Sequence, residues 1–236
     1  MYYYLIGLVV SLLAGLWFIY KTPENKTAIY LFLSAGGAFL MTIIFTHILP
    51  ELFERLPSQA GYFLLAGFLT QILLENYSRG IEHGHAHSTK SSRVLYVSYF
   101  ALCIHATIEG MPMASVLFQS TTQFHEQLTI GIMLHKIPVA ITLAMLLSKS
   151  GISKHTSVLL ISGFILCTIL GSMIQYAIGE STGEGAADLM FMSLGLTIGI
   201  LLHVSTTILF ESSDQHRLSP TRITVIAIGI TAGLMA

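Results

Sequence analysis

Eight long apolar runs follow one another along this chain, and each is close to the length that crosses a lipid bilayer. About 20 consecutive apolar residues span the hydrocarbon core as a helix, and such a segment must satisfy its own backbone hydrogen bonds. The pattern predicts an all-α integral membrane protein with eight transmembrane helices in one domain, residues 1–236. The predicted spans cover residues 3–20, 27–48, 59–75, 94–118, 126–147, 156–178, 188–210 and 221–236, and Gln71 interrupts the third.

The composition agrees with a membrane protein that has no sizeable soluble domain. Hydrophobic residues make up 53% of the 236 residues and charged residues only 10%. The Met-Tyr-Tyr-Tyr start lacks the basic region of a signal peptide, so we expect the first run to be retained. Cys103 and Cys167 both lie inside apolar runs and indicate no disulfide framework.

Basic residues are distributed unevenly among the breaks, and they accumulate in cytoplasmic loops of membrane proteins. The alternate breaks, after spans 2, 4 and 6, contain a single basic residue, Arg55. Both termini are therefore expected outside, and the bias also supports the count of eight, because removing one span would invert every later loop. The breaks after spans 1, 3, 5 and 7 contain Lys21, Lys26, Arg79, Lys90, Arg93, Lys149, Lys154, Arg217 and Arg222.

Two short polar clusters interrupt the fourth and fifth spans. His105 and Glu109 lie near the middle of the fourth span, and His135 and Lys136 lie near the middle of the fifth. Ionisable residues at this depth are costly and mark functional sites. His105 and Glu109 are four residues apart and share one helix face, so His135 can join them from the next helix.

The three side chains of this predicted site suit a divalent metal ion. Two imidazoles and a carboxylate favour Zn²⁺ or a similar first-row metal with water in the fourth position, whereas alkaline-earth ions require more oxygen ligands. Pro112 and Pro138 follow the clusters, and each removes a backbone donor. We expect the freed carbonyls to face the polar cluster, as in the interrupted helices of transporters.

The fourth and fifth spans resemble those of the ZIP (Zrt/Irt-like) divalent-metal transporters, and the resemblance covers most of the chain. The fourth-span pattern of that family is kept as His105, Glu109, Gly110 and Pro112, and the fifth-span pattern is kept in part as His135-Lys136-Ile137-Pro138-Val139-Ala140. Weaker matches are Thr46-His47-Ile-Leu-Pro50-Glu51 and Gly199-Ile-Leu-Leu-His203-Val204.

The resemblance implies a transporter that moves a divalent metal, most of all zinc, toward the cytoplasm through one midplane site on helices 4 and 5. Spans 1–3 and 6–8 would be inverted repeats around spans 4–5. Zn²⁺, Cd²⁺, Fe²⁺, Mn²⁺ and Co²⁺ stay open as the substrate, and we expect no cofactor, no enzymatic activity and no nucleic-acid partner. Glycines that would allow close helix packing or sliding are Gly36, Gly37, Gly163, Gly171, Gly195 and Gly199.

The chain departs from the family where many members hold a second metal ion. The places of the second-site ligands are taken by Ala106, Lys136 and Val139, and a protonated ammonium cannot ligate a metal. We predict a single metal site, with Lys136 in the second position as a tethered cation paired with Glu109. The alternatives that Lys136 loses its proton in the apolar setting, or turns away to pair elsewhere, stay open.

Other polar residues indicate a route on either side of the site. His47 and Glu51 end the second span at the predicted external mouth, where they could gather cations or simply cap the interface. His203 lies in the seventh span toward the cytoplasm, and it could receive a departing ion or bond to a neighbouring helix. A cytoplasmic loop at about residues 77–93 contains His83, His85 and His87, a pattern that binds Zn²⁺ or Cu²⁺ loosely or that arises by accident of composition.

Two other functions are compatible with a buried metal site. An open metal site can activate water, but the His-Glu-x-x-His motif of an intramembrane metalloenzyme is absent. The lost second-site ligands make a metal sensor or a transport-inactive relative the stronger alternative. The small size and short loops favour a prokaryotic inner membrane, without excluding an organelle. The oligomeric state is open, with a homodimer as one option.

Overall fold

The computed structural model describes residues 2–21, 27–78, 81, 91–118, 123–182, 186–211 and 219–236. Within these ranges the chain is helical and contains no β-strand, as the sequence predicts. The described ranges form eight helices, α1 (Tyr2–Tyr20), α2 (Thr27–Arg55), α3 (Ala60–Ser78), α4 (Ser92–Leu117), α5 (Gln123–Lys149), α6 (Lys154–Thr182), α7 (Ala186–Glu211) and α8 (Pro220–Met235).

Six of these helices are long and apolar enough to cross a bilayer, namely α1, α2, α4, α5, α6 and α7. α3 has 19 residues but contains Gln71 and Glu75, and α8 has only 16 residues. The integral membrane character is therefore confirmed. The count of eight spans, the external termini and the inverted repeat remain predictions.

Some helices extend beyond the apolar runs from which they were predicted. α2 continues from residue 48 to Arg55 and includes Glu51 and Glu54. Hydropathy marks only the part of a helix that suits hydrocarbon, whereas Glu and Arg are good helix formers in water. The hydropathy boundary of α2 is therefore too early by about two turns.

The helices pack in two groups of four. In the first group, α1 packs against α5 and α6, and α4 packs against α6. In the second group, α3 packs against α7, and α2 packs against α7 and α8. The groups meet where α2 contacts α5, where α3 contacts α4, and where α7 contacts α4 and α6. Both polar clusters thus lie in the first group, next to α3 of the second.

Glycines let neighbouring helices approach at backbone distance. Gly171 of α6 packs against the carbonyl oxygen of Thr107, and Gly110 of α4 packs against that of Thr168, so a Cβ at either glycine would overlap an oxygen. Gly199 of α7 meets α3 in the same way. Helices in lipid associate largely through such close packing. The two reciprocal contacts between α4 and α6 hold in place the part of α4 that carries Glu109.

Candidate metal centre

α4 and α5 bring the three predicted metal ligands together. His105, Glu109 and His135 offer ligand atoms that all lie within 4.8 Å of one another. Their side chains are between 1% and 3% exposed. In the part of the chain that the structure describes, no other group of three or more His, Cys, Asp and Glu side chains is placed in this way. The two imidazole rings meet edge to face, with centroids 6.1 Å apart.

The backbone of α4 changes directly after Glu109, where Met111–Met113 form a 3₁₀ turn. Pro112 lacks the amide that would bond to the carbonyl oxygen of Ile108. The backbone N–H of Met111 donates to that oxygen instead, and Oγ1 of Thr197 on α7 donates to it as well, at 2.9 Å. The carbonyl that Pro112 frees is thus bonded to α7 rather than left to line the polar cluster.

The backbone of α5 behaves differently, since the helix continues through Pro138. The proline leaves the carbonyl oxygen of Leu134 without its helical donor. Gly36 of α2 lies opposite this oxygen. A Cβ placed on Gly36 would be 3.7 Å from it. The two prolines therefore have unequal effects, and only α4 changes its helix type beside the site.

Lys136 forms a buried ion pair with Glu109, as the sequence predicts. Its Nζ lies 2.5 Å from Oε2 of Glu109, and both side chains are 1% exposed. Nζ also lies 4.9 Å from the ring centroid of Phe164, which adds a cation–π attraction. Oε1 of Glu109 has no hydrogen-bond partner among the described residues. The carboxylate therefore keeps one oxygen for a metal ion while the other holds the ammonium.

Gln71 is a site residue that the sequence reasoning missed. Its Oε1 lies 2.9 Å from Nδ1 of His105, and its side chain is 0% exposed. In the sequence, Gln71 is noticeable only as an interruption of the third span. The available signal was an amide in the interior of an apolar run, which must find a hydrogen-bond partner when it is buried.

Glu75, one helical turn further along α3, was missed as well. Its Oε2 lies 3.4 Å from Nδ1 of His203 on α7, and the ring of Phe68 meets that imidazole edge to face at 5.0 Å. His203 thus contacts a neighbouring helix, as one of its two interpretations expected. Its role in metal exit stays a prediction.

The predicted external residues have local partners. Nδ1 of His47 lies 2.6 Å from Oγ1 of Thr46, and Glu51 pairs with Arg55 at 3.0 Å. His47 lies in a π-helical turn, Ile44–Ile48; such single wide turns are frequent at functional sites. The role of these residues as an entrance stays a prediction.

The loop histidines His83, His85 and His87 lie outside the described residues. Their proposed binding of metal is therefore also still a prediction.

Long apolar helices around a buried group of side chains that could hold a metal ion are typical of one class of protein, the membrane proteins that handle metal ions. Comparison with protein families narrows the class, since the family described as ZIP Zinc transporter matches residues 82–236. The chain belongs to the ZIP zinc transporter family.

Two curated relatives agree with this assignment. Zinc transporter ZIP9 of Micropogonias undulatus is 25% identical over 162 residues, which are 65% of this chain and 51% of the relative. Zinc transporter ZIP9-B of Xenopus laevis is 23% identical over 160 residues, 65% of this chain and 52% of the relative. The chain spans about half the length of these relatives. They come from a fish and a frog, so they give no support to the expected prokaryotic inner membrane.

Proposed function

We propose that the protein carries a divalent metal ion, zinc in the first place, toward the cytoplasm through a single site made of His105, Glu109 and His135. The observation that carries this proposal is the buried approach of the three side chains, with all ligand atoms within 4.8 Å. Two imidazoles and one carboxylate are a donor set that Zn²⁺ prefers, and water can occupy the fourth position. Membership of the ZIP family supports a transported ion rather than a resident cofactor.

The movement of the ion follows from the position of the ligands in the helices. The ion enters from the external side past His47 and Glu51, exchanges water for the three ligands near the bilayer midplane, and leaves toward Glu75 and His203. Both ligand-bearing helices, α4 and α5, belong to one packing group. A shift of this group relative to α2, α3, α7 and α8 would open the site inward without covalent chemistry.

Lys136 takes the place of a second metal ion in this proposal. Its ammonium neutralises Glu109 when the site is empty, and its proton-bearing nitrogen cannot ligate. A bound divalent ion then has a single carboxylate to offset its charge, beside an ammonium. We expect weaker binding or slower transport than in ZIP proteins that carry further carboxylates.

A metal sensor or a transport-inactive ZIP relative is the second candidate. The observation that favours it is the same ion pair. The ammonium of Lys136 already binds one carboxylate oxygen of Glu109, at 2.5 Å. A protein of this kind would still bind the metal at the three ligands. It would not release the metal on the other side of the membrane.

Zn²⁺ entry into liposomes tests both candidates. The full chain is reconstituted around an internal fluorescent Zn²⁺ indicator, and the wild type is compared with His105→Ala and Glu109→Ala. His155→Ala and Glu180→Ala are matched controls, because both side chains are exposed and lie outside the site. Saturable entry that only the site variants lose supports the carrier. Retained Zn²⁺ binding without entry above empty vesicles supports the sensor or inactive relative.

A further inference from the structure

We infer that Gln71 is a positioning residue for the metal site: its side-chain oxygen selects the tautomer of His105 that can bind the ion. The inference rests on the proposed function, because it concerns His105 as a ligand of the same site. It adds a residue of α3 to a site whose ligands come from α4 and α5.

The hydrogen bond between the two side chains decides which ring nitrogen carries the proton. Oε1 of Gln71 lies 2.9 Å from Nδ1 of His105. An amide oxygen only accepts, so Nδ1 of the neutral imidazole must donate. The proton then resides on Nδ1, and Nε2 keeps the lone pair that a metal ion requires. A carbonyl oxygen on the non-ligating nitrogen is the usual way in which proteins orient a metal-binding histidine.

The burial of Gln71 supports a specific role rather than a chance contact. The side chain is 0% exposed and that of His105 is 1% exposed. Placing an amide in buried surroundings is costly unless it is hydrogen-bonded. The bond to His105 offsets the part of this cost that belongs to Oε1, whereas Nε2 of Gln71 has no hydrogen-bond partner among the described residues. The contact to Oε1 therefore fixes how the amide and the imidazole face each other.

The same hydrogen bond joins the two packing groups of the protein. Gln71 belongs to the group of α2, α3, α7 and α8, and His105 belongs to the group of α1, α4, α5 and α6. A relative shift of more than about 1 Å takes the two atoms out of hydrogen-bond distance. His105 is therefore oriented for metal binding in the arrangement seen here, and it loses this restraint once its group moves. Metal affinity then falls in the state from which the ion is released.

Zn²⁺ binding to variants of the full chain in detergent tests the inference, with a fluorescent Zn²⁺ indicator as competitor. Gln71→Met keeps the length of the side chain but removes the acceptor, and we expect about 10- to 100-fold weaker binding. Gln71→Glu keeps an acceptor oxygen at the same reach and should bind at least as tightly as the wild type, because a carboxylate is one of the usual partners of a metal-binding histidine. Gln175→Met is the matched control, since it removes a buried glutamine of α6 that is 4% exposed, and it should bind as the wild type does.

The tautomer of His105 is a second readout. Replacing a residue with a merely structural role would not change this tautomer. Nitrogen-15 NMR of histidine-labelled protein, with His105 identified through His105→Ala, should show a protonated Nδ1 in the wild type and a loss of this preference in Gln71→Met. If Gln71→Met does not fold, Gln71→Asn is used instead. The asparagine side chain is too short for its oxygen to reach Nδ1 of His105, so the same losses of affinity and of tautomer preference are expected.

Unchanged affinity and unchanged tautomer would overturn the inference. If His105→Ala binds Zn²⁺ normally, the proposed site itself is wrong; if His105→Ala loses binding while Gln71→Met does not, only the role of Gln71 is wrong.

Discussion

The ammonium of Lys136 and the carboxylate of Glu109 form a contact of 2.5 Å in which both side chains are 1% exposed. Each charge alone would be costly in such surroundings, while the pair is neutral as a unit. Metal that binds at Glu109 must therefore enter a site in which one positive charge is already present. This ion pair is the basis of the proposed single metal site, and it leads to the first two predictions.

Replacing Lys136 by methionine should destabilise the metal-free protein and enlarge its response to Zn²⁺. Removing one partner of a buried ion pair costs about 3–5 kcal/mol, because the other charge is left uncompensated. Zn²⁺ supplies the missing positive charge and stabilises the state that binds it. Thermal unfolding with and without Zn²⁺ should show a larger rise of Tm in Lys136→Met than in the wild type. Lys154→Met, which removes a lysine over the ring of Tyr20, should respond as the wild type does; equal rises in all three proteins would contradict the prediction.

Replacing Lys136 by glutamate should allow a second metal ion to bind. The change exchanges a donor-only cation for a carboxylate beside Glu109, and two carboxylates with two imidazoles offer enough ligands for two ions. Elemental analysis of the purified protein after Zn²⁺ saturation should find about one more ion per chain than in the wild type. One ion in both proteins would count against Lys136 as the occupant of the second position.

Zn²⁺ uptake should weaken as the pH falls toward about 6 and below. Both histidines must be neutral to bind a metal ion, so protons compete with the ion for His105 and His135. The initial rate of entry into liposomes, with equal pH on both sides, should decrease between about pH 7.5 and 5.5. Saturating Zn²⁺ should restore part of the rate, because competition is overcome by concentration. A rate that is independent of pH would mean that histidines do not hold the ion.

Gly171→Ala should destabilise the protein, because the new Cβ would overlap the carbonyl oxygen of Thr107 on α4. Overpacking of this kind costs about 1–3 kcal/mol. Gly61→Ala is the control, since a Cβ at this position of α3 meets no atom within 4 Å and alanine favours a helix. Thermal unfolding should show a lower Tm for Gly171→Ala and an equal or higher Tm for Gly61→Ala. A Tm of Gly171→Ala at the wild-type value would show that α4 and α6 can separate without loss.

Replacing His83, His85 and His87 together by serine should leave the initial rate of Zn²⁺ entry unchanged. The three residues belong to a predicted loop, whereas the ligands of the proposed site lie in α4 and α5. Entry into liposomes at limiting and at saturating Zn²⁺ separates delivery of the ion from the transport step. A lower rate at limiting Zn²⁺ alone would assign the loop a role in delivery, and loss at saturation would make it part of the route.

Sequence periodicity was sufficient for much of the fold and for the choice of three side chains that lie close together. Apolar runs of bilayer length determine where helices lie, because a backbone in hydrocarbon has to bond to itself. The four-residue spacing of His105 and Glu109 places both on one face of α4, and the equal depth of His135 follows from the lengths of the fourth and fifth spans. These inferences need only local geometry, and the structure brings the three side chains together as predicted.

The tertiary structure alone decided which groups surround the ligands. Gln71 and Thr197 reach α4 from α3 and α7, and their separations from His105 and Ile108 are 34 and 89 residues. No periodicity relates positions so far apart, because their proximity depends on which helices pack and on how they are rotated. The sequence by itself determined a membrane helix bundle with a histidine and carboxylate site. Packing determined that an amide of one helix group meets an imidazole of the other, since a buried polar group bonds to whichever partner the neighbouring helix presents.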